Sequence, residues 1–313
     1  MPEELKLNRP WLVAVWPGMG HVALSAGYYM MAKFGMHLFA EFSPRELFEV
    51  EHVEVEHGLI RASRLPRSRL FVWHDPKETR DIVVFIGEAQ PPTGKYAFCH
   101  RLIEYAQQLG VERVFTFAAM VTNMHPDQPS RVFGAVTNEE NLDELKALEV
   151  EPLDRGHISG LNGVLLGAAA EAGVSGTCLL GEMPHIFAQL PYPKASLAVL
   201  EIFVQIAGIT IDLAELFEQA EEVDRKLSGL LEEVENALKR QHEESAEEAG
   251  EEYPLAPVEE DALTAEDELR IEQLFAQARQ DRSKAYELKR ELDRLEVFAD
   301  YEDRFLDLFK KPG

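Results

Sequence analysis

The chain has 313 residues, enough for one large core and an extension, and its 46% hydrophobic content excludes wholesale disorder. A formal net charge of −25 argues against nucleic acid and anionic membranes as partners, because both are polyanions. Two cysteines, Cys99 and Cys178, are too few for a secreted disulfide framework. Residues 1–6 lack a signal-peptide pattern, and no apolar run approaches the roughly 20 residues that span a bilayer, so a cytoplasmic location is expected.

Residues 11–16 (WLVAVW) form a continuous apolar run ended by Pro17-Gly18-Met19-Gly20, which predicts a buried strand entering a glycine turn. Residues 21–34 carry Leu24, Tyr28 and Met31 in a helical pattern closed by Gly35, and residues 36–42 read as the next strand. Strand, helix and strand in that order make the unit of a parallel sheet. Across residues 48–86 helical spacing disappears. A run at Val50, His52 and 53–55, further runs at 59–62, 70–73 and 82–86, and the turn Asp75-Pro76-Lys77-Glu78-Thr79 predict inserted hairpins. Helix returns at residues 95–109, followed by strands at 114–119 and 132–136 and a short helix to Leu148. A glycine-studded turn, Gly156-His157-Ile158-Ser159-Gly160-Leu161-Asn162-Gly163, then precedes a helix at 164–172, a strand at 176–180 and a helix at 194–207. This order predicts an α/β fold for residues 1–212: a three-layer α/β/α sandwich around a mixed, mainly parallel sheet.

Beyond Asp212 the pattern changes to heptads. Leu213, Leu216, Ala220, Val223, Leu227, Leu230, Val234 and Ala237 step by three and four, predicting one long helix over residues 213–240. The seam fits either a coiled coil between subunits or a helix lying back on its own domain. Leu216, Val223, Leu227, Leu230 and Val234 are the interface candidates. Residues 241–260 read as an acidic linker, and 261–313 as a C-terminal helical extension. From Gln241 to Gly313, 22 acidic and 10 basic residues leave a net −12, so this end carries much of the charge excess. Thr264 is placed to cap one helix marked by Ile271, Leu274, Phe275 and Ala278. Leu288, Leu292, Leu295 and Phe298 mark a second, and Phe305, Leu308 and Phe309 give an apolar end.

Motifs with a chemical meaning are few. The segment from Gly87 to Lys95 sits where a phosphate loop belongs, but its glycines are too far apart and Tyr96 replaces the magnesium-binding hydroxyl. Gly18 and Gly20 follow the first strand, where backbone N–H groups can meet an anion, but the dinucleotide fingerprint is incomplete. Ser25 lies inside a helix, not on a nucleophile elbow. No His/Cys spacing matches a metal site, so neither metal nor cofactor is expected. His125, His157 and His185 fall in loops near strand ends. Glu182, at the end of the 176–180 strand, is the one candidate catalytic carboxylate: it is either a general acid or base with a pKa raised by burial, or a structural carboxylate that accepts backbone N–H bonds and holds its own loop still, and Lys194 opens the next helix. Gly18, Gly20, Glu88, His157, Asn162, Glu182 and Lys194 are the ligand-site candidates.

Phe133-Gly134-Ala135-Val136-Thr137-Asn138, the 156–163 turn, Leu179-Leu180-Gly181-Glu182, Pro193-Lys194-Ala195-Ser196 and Ile211-Asp212-Leu213 together resemble the proteasome assembly chaperone family, in the prokaryotic branch of its second member. The resemblance runs over residues 11–239. It implies a sandwich like that of purine nucleoside phosphorylases and a non-enzymatic protein that binds or assembles others. It also implies a homo-oligomer, trimer or tetramer, with a protein client. Relatives that dock on proteasomes do so through a tail ending in a hydrophobic residue, a tyrosine and one more residue. Lys311-Pro312-Gly313 departs from that pattern, so docking by that route is not expected. The alternative reading is a nucleotide or other small-molecule enzyme using the strand-end loops.

Overall fold

The computed structural model describes residues 6–43, 47–48, 53–61, 64–244, 263–295 and 297–310 (for residues 54, 56, 61, 232–244 and 265, the backbone alone). Val50 and His52 of the first inserted strand, most of the acidic linker and Lys311-Pro312-Gly313 lie outside the described residues, as does the side chain of Val234.

Eight strands form one sheet: β1 (Trp11–Val15), β2 (His37–Phe42), β5 (Ser68–Trp73), β6 (Ile82–Gly87), β7 (Arg113–Thr122), β8 (Val132–Val136), β9 (Glu151–Pro152) and β10 (Ser175–Pro184). Their spatial order is β2-β5-β6-β1-β7-β10-β8-β9. The centre, β6-β1-β7-β10, is parallel. β2, β5 and β6 pair antiparallel, and β8 runs antiparallel to β10. β3 (Glu54–Glu56) and β4 (Leu59–Arg61) make a separate hairpin in the region where inserted hairpins are expected.

The apolar run of β1 follows from burial on both faces. Trp11, Val13 and Val15 enter one core, while Leu12, Ala14 and Trp16 enter the other. Helices α1 (Val22–Lys33) and α5 (Pro193–Ala207) supply the first core. Helices α2 (Lys95–Gln108) and α4 (Gly160–Glu171) supply the second. The short α3 (Glu139–Ala147) starts on the Asn138 side chain, which accepts from Asn141 N at 2.9 Å. The fold is therefore the expected α/β arrangement of a mixed sheet flanked by helices.

Two strands are longer than their apolar runs. β7 and β10 pair over ten residues, from Ser175↔Arg113 to Pro184↔Thr122. Glu182 thus sits inside a strand instead of following one, because β10 keeps pairing past Leu180. Gly181 permits close packing there: a Cβ on it would meet the Ala195 carbonyl oxygen of α5 at 2.6 Å.

After α5 comes α6 (Ala214–Glu244), then α7 (Ala265–Gln280), α8 (Ala285–Arg294) and α9 (Phe298–Asp307). Thr264 and Asp267 close a capping box at the start of α7. The single helix expected through Leu288 and Phe298 is two. α8 ends at Arg294 and α9 begins at Phe298, and the bend brings Phe298 and Phe305 edge-on to Tyr28 of α1, at 5.2 and 5.8 Å. Tyr29 meets Tyr286 at 4.5 Å, and Leu38 N on β2 donates to Phe309 O at 2.8 Å. Ile271, Phe275, Leu288, Leu292, Phe305 and Phe309 are all buried in the α1-side core.

The first part of the heptad seam, Leu216 to Leu227, turns inward. Leu216 and Leu227 are buried in the chain's own core, and Val223 packs against it, so these interface candidates are taken up within the subunit. Leu230 is 52% exposed and faces outward.

Candidate functional site

β1 delivers the chain to a tight 3-10 turn, Met19–His21, at the C-terminal end of the parallel strands. Gly20 has φ +62, and a Cβ there would lie 2.6 Å from the Met183 sulfur, so two constraints exclude a side chain. Gly20 N donates to Ala188 O and Tyr192 N to Gly20 O, both at 2.9 Å. These bonds fasten the 18–21 turn to the 185–192 loop. Met19 (48% exposed), Ile186 (48%) and Leu190 (43%) stand out from the joined loops as an apolar rim.

Beside this rim lies a hollow of about 590 Å³ lined by Gly18, Met19, Gln90, Arg155, His157 and Asn162, among others. The N-terminus of α4 points toward it. Ser159 makes no capping bond there. Instead Leu161 N donates to Gln90 Oε1 at 3.2 Å, and Gln90 Nε2 donates to Pro17 O at 3.3 Å. A neutral side-chain amide thus occupies the position where α4 could meet an anion. Asn162 Oδ1 is buried without a hydrogen-bond partner.

The other candidates sit elsewhere. Glu182 is 2% exposed and held in an ion pair at the edge of a separate hollow of about 530 Å³. Arg131 donates to it from Nε at 2.7 Å and Nη2 at 2.8 Å, and Thr122 Oγ1 donates at 2.8 Å. The forked guanidinium holds the Glu182 carboxyl below the usual carboxylate range, overcoming the upward push of burial. The shift is opposite to the raised pKa that the acid–base reading of Glu182 needs and accords with the structural reading, with the Arg131 and Thr122 side chains as the partners in place of loop N–H groups. Lys194 does not complete a pair with Glu182: its Nζ donates to Pro126 O at 2.6 Å and to Asp224 at 2.9 Å, tying a loop to α6.

Glu88 does not line the hollow either. It accepts from Arg69 Nη1 at 2.9 Å, Arg67 N at 2.9 Å and Arg64 Nη2 at 3.2 Å. Arg69 also reaches Asp303 of α9 at 2.6 Å, so this cluster fastens the C-terminal helices. Gly18, His157 and Asn162 therefore share one hollow; Gly20 is buried beside it, and Glu88, Glu182 and Lys194 have structural partners. Of the three loop histidines, His157 lines the hollow, and His125 is exposed in the loop after β7. Burial pushes the thiols of Cys99 and Cys178 up to about 12. Among the described residues no group of three or more His, Cys, Asp or Glu could hold a metal, and no helix is long and apolar enough to cross a membrane.

Arg131 and Gln90 escape sequence reasoning. The signal for Arg131 was faint but physical: a buried glutamate needs a cation, and Arg131 immediately precedes strand β8. Only the antiparallel pairing of β8 with β10 reveals that the two meet, with Glu182 N donating to Arg131 O at 2.8 Å.

A mixed sheet clad by helices, with strand-end loops fastened by hydrogen bonds and ion pairs, defines an α/β/α sandwich protein that exposes an apolar rim. The model of the PAC2 family matches residues 12–231, and the chain belongs to that family. It is similar to Pyrococcus furiosus PbaB, an archaeal proteasome activator: 26% identity, 73% of this chain and 96% of that one, TM-score 0.61. A PAC2 family protein from Streptomyces avermitilis is 25% identical, over 71% and 95% of the two chains, with TM-score 0.60. Pyrococcus furiosus PbaA, an archaeal homolog of proteasome-assembly chaperone, is 25% identical over 76% and 94%, with TM-score 0.58.

Proposed function

We propose that this chain is a non-catalytic, self-associating protein of the proteasome-assembly-chaperone type, which binds a protein client through its strand-end rim. The observation that carries the reading is the rim itself: Met19, Ile186 and Leu190 exposed together on two loops that backbone hydrogen bonds hold still. Large apolar side chains on rigid loops present contact area with little ordering entropy to lose on association. The kinship with PbaA and PbaB supports a proteasomal client. The closed Glu182–Arg131 pair and the high-pKa thiols favour binding over catalysis.

The test is reconstitution of proteasome α-subunit rings from purified subunits, with and without the full chain. Ring formation or capture should depend on the chain and be lost in Ile186→Asp/Leu190→Asp, while circular dichroism stays unchanged. Light scattering on the same samples reports self-association. Rings that assemble equally well without the chain, with no α-subunit retained on it, would reject the client reading.

A further inference from the structure

We propose that the C-terminal helices carry an anion site of their own, suited to a phosphate dianion on a small molecule. A hollow of about 380 Å³ opens where the ends of α7 and α9 meet the turn Arg282–Lys284. Arg279, Arg282, Arg304, Lys310 and Asp307 line it, together with Leu308. Two of the four cations are already matched. Arg304 is forked onto Glu272, and Lys310 Nζ lies 2.6 Å from Asp307.

The other two have no carboxylate partner among the described residues. Arg282 donates to the Lys310 carbonyl oxygen at 3.0 Å and approaches the His37 ring at 2.9 Å. Arg279 is exposed and makes no hydrogen bond or ion pair among the described residues. Glu272 feels its charge: that carboxyl is held below its ordinary range by Arg304 first and by Arg279 as a lesser contributor. The C-termini of α7 and α9 supply roughly one negative charge between them. Two unmatched guanidinium charges exceed that, so the hollow stays positive in a chain of net −25.

Arg279, whose fork is unbonded among the described residues, and Arg282, whose terminal nitrogens keep donor hydrogens beyond those spent on His37 and the Lys310 carbonyl, favour an oxyanion that can accept several hydrogen bonds at once, which a phosphate group does. The hollow is near the lower end of the size of small-molecule sites. The acidic remainder of the surface repels large polyanions, leaving a small ligand as the occupant. The site lies beyond residues 12–231, so it belongs to this chain's extension and not to the part matched by the family.

Isothermal titration of the full chain with inorganic phosphate, and separately with glycerol 3-phosphate, tests the site at constant ionic strength. Saturable one-to-one binding is expected with at least one of them, and which one binds tells free phosphate from an ester. Arg279→Glu should weaken it tenfold or more. That side chain is exposed and unbonded, so the variant keeps the fold, which circular dichroism checks. Arg282→Gln should weaken binding similarly, and Arg155→Ala in the strand-end hollow should leave it unchanged. Absence of saturable binding, equal affinity in Arg279→Glu, or loss on Arg155→Ala instead would overturn the proposal.

Discussion

Replacing Phe305 by alanine probes whether α7–α9 are part of the cooperative fold or a detachable cover. The ring is fully buried and packs against Tyr28, Phe298 and Phe309 at 5.8, 5.5 and 5.6 Å between centroids. Truncation removes the ring's transfer free energy and leaves a cavity lined by rigid aromatics that cannot collapse into it. Such changes cost about 3–5 kcal/mol. That is a large fraction of the roughly 5–15 kcal/mol that holds a typical protein folded. In a chain of this size it corresponds to a Tm drop of roughly 5–8 °C. The assay uses two probes. Trp11, Trp16 and Trp73 all lie in the sandwich, so their fluorescence follows it alone, while hydrogen exchange of peptides from 265–310 follows the helices. If the aromatic contacts, the Arg69–Asp303 bond and the Leu38–Phe309 bond couple the parts, both probes shift together with unchanged denaturant slope. A loss under about 1 kcal/mol, or rapid exchange in 265–310 with unshifted fluorescence, refutes the coupling.

Glu302 accepts from Tyr28 Oη at 2.6 Å, yet burial raises its pKa above the ordinary value. A group with a raised folded pKa contributes stability below its unfolded pKa and loses it as pH rises through the folded one. Glu302→Gln should therefore raise Tm at pH 7.5, with the gain shrinking as pH falls toward 4.5. Glu182 has the opposite sign: its folded pKa is lowered, so its contribution holds above pH 4.5 and is lost as pH falls through the folded value. Acid-titrated stability of Glu182→Gln should converge on that of the unaltered chain at low pH; a constant gap would contradict the ion-pair account. Gly20→Ala should cost about 1–3 kcal/mol from its φ of +62 and the 2.6 Å approach to Met183. Gly18→Ala, with no atom within 4 Å of its added Cβ and an extended backbone, should stay within about 0.5 kcal/mol by thermal denaturation.

Most elements were legible in the sequence because burial writes them there directly. β1 reads as an unbroken apolar run since both its faces enter cores, and Thr264 with Asp267 announces α7 by capping chemistry. The ends of β7 and β10 were not legible. The last residues of β10, Gly181-Glu182-Met183-Pro184, look like a loop but stay paired with β7, and Arg131, just before β8, neutralises Glu182 there. The candidate site was half legible. Gly18, His157 and Asn162 do line one hollow, since topology alone sends strand ends and helix starts to the same side. Glu88 and Lys194 misled, because a carboxylate's or ammonium's partner depends on which distant element packs beside it, here α9 for Glu88 by way of Arg69 and α6 for Lys194.

The two outermost strands close the sheet to newcomers. β9 is two residues long and ends in Pro152, which has no N–H to offer. On the opposite side β2 is bulged between Leu38 and Ala40, and the Leu38 amide is already spent on Phe309 O of the turn after α9. An incoming strand finds no regular row of free amides and carbonyls at either border. Strand addition at the borders of the eight-stranded sheet is therefore disfavoured, and the turn after α9 covers the β2 border.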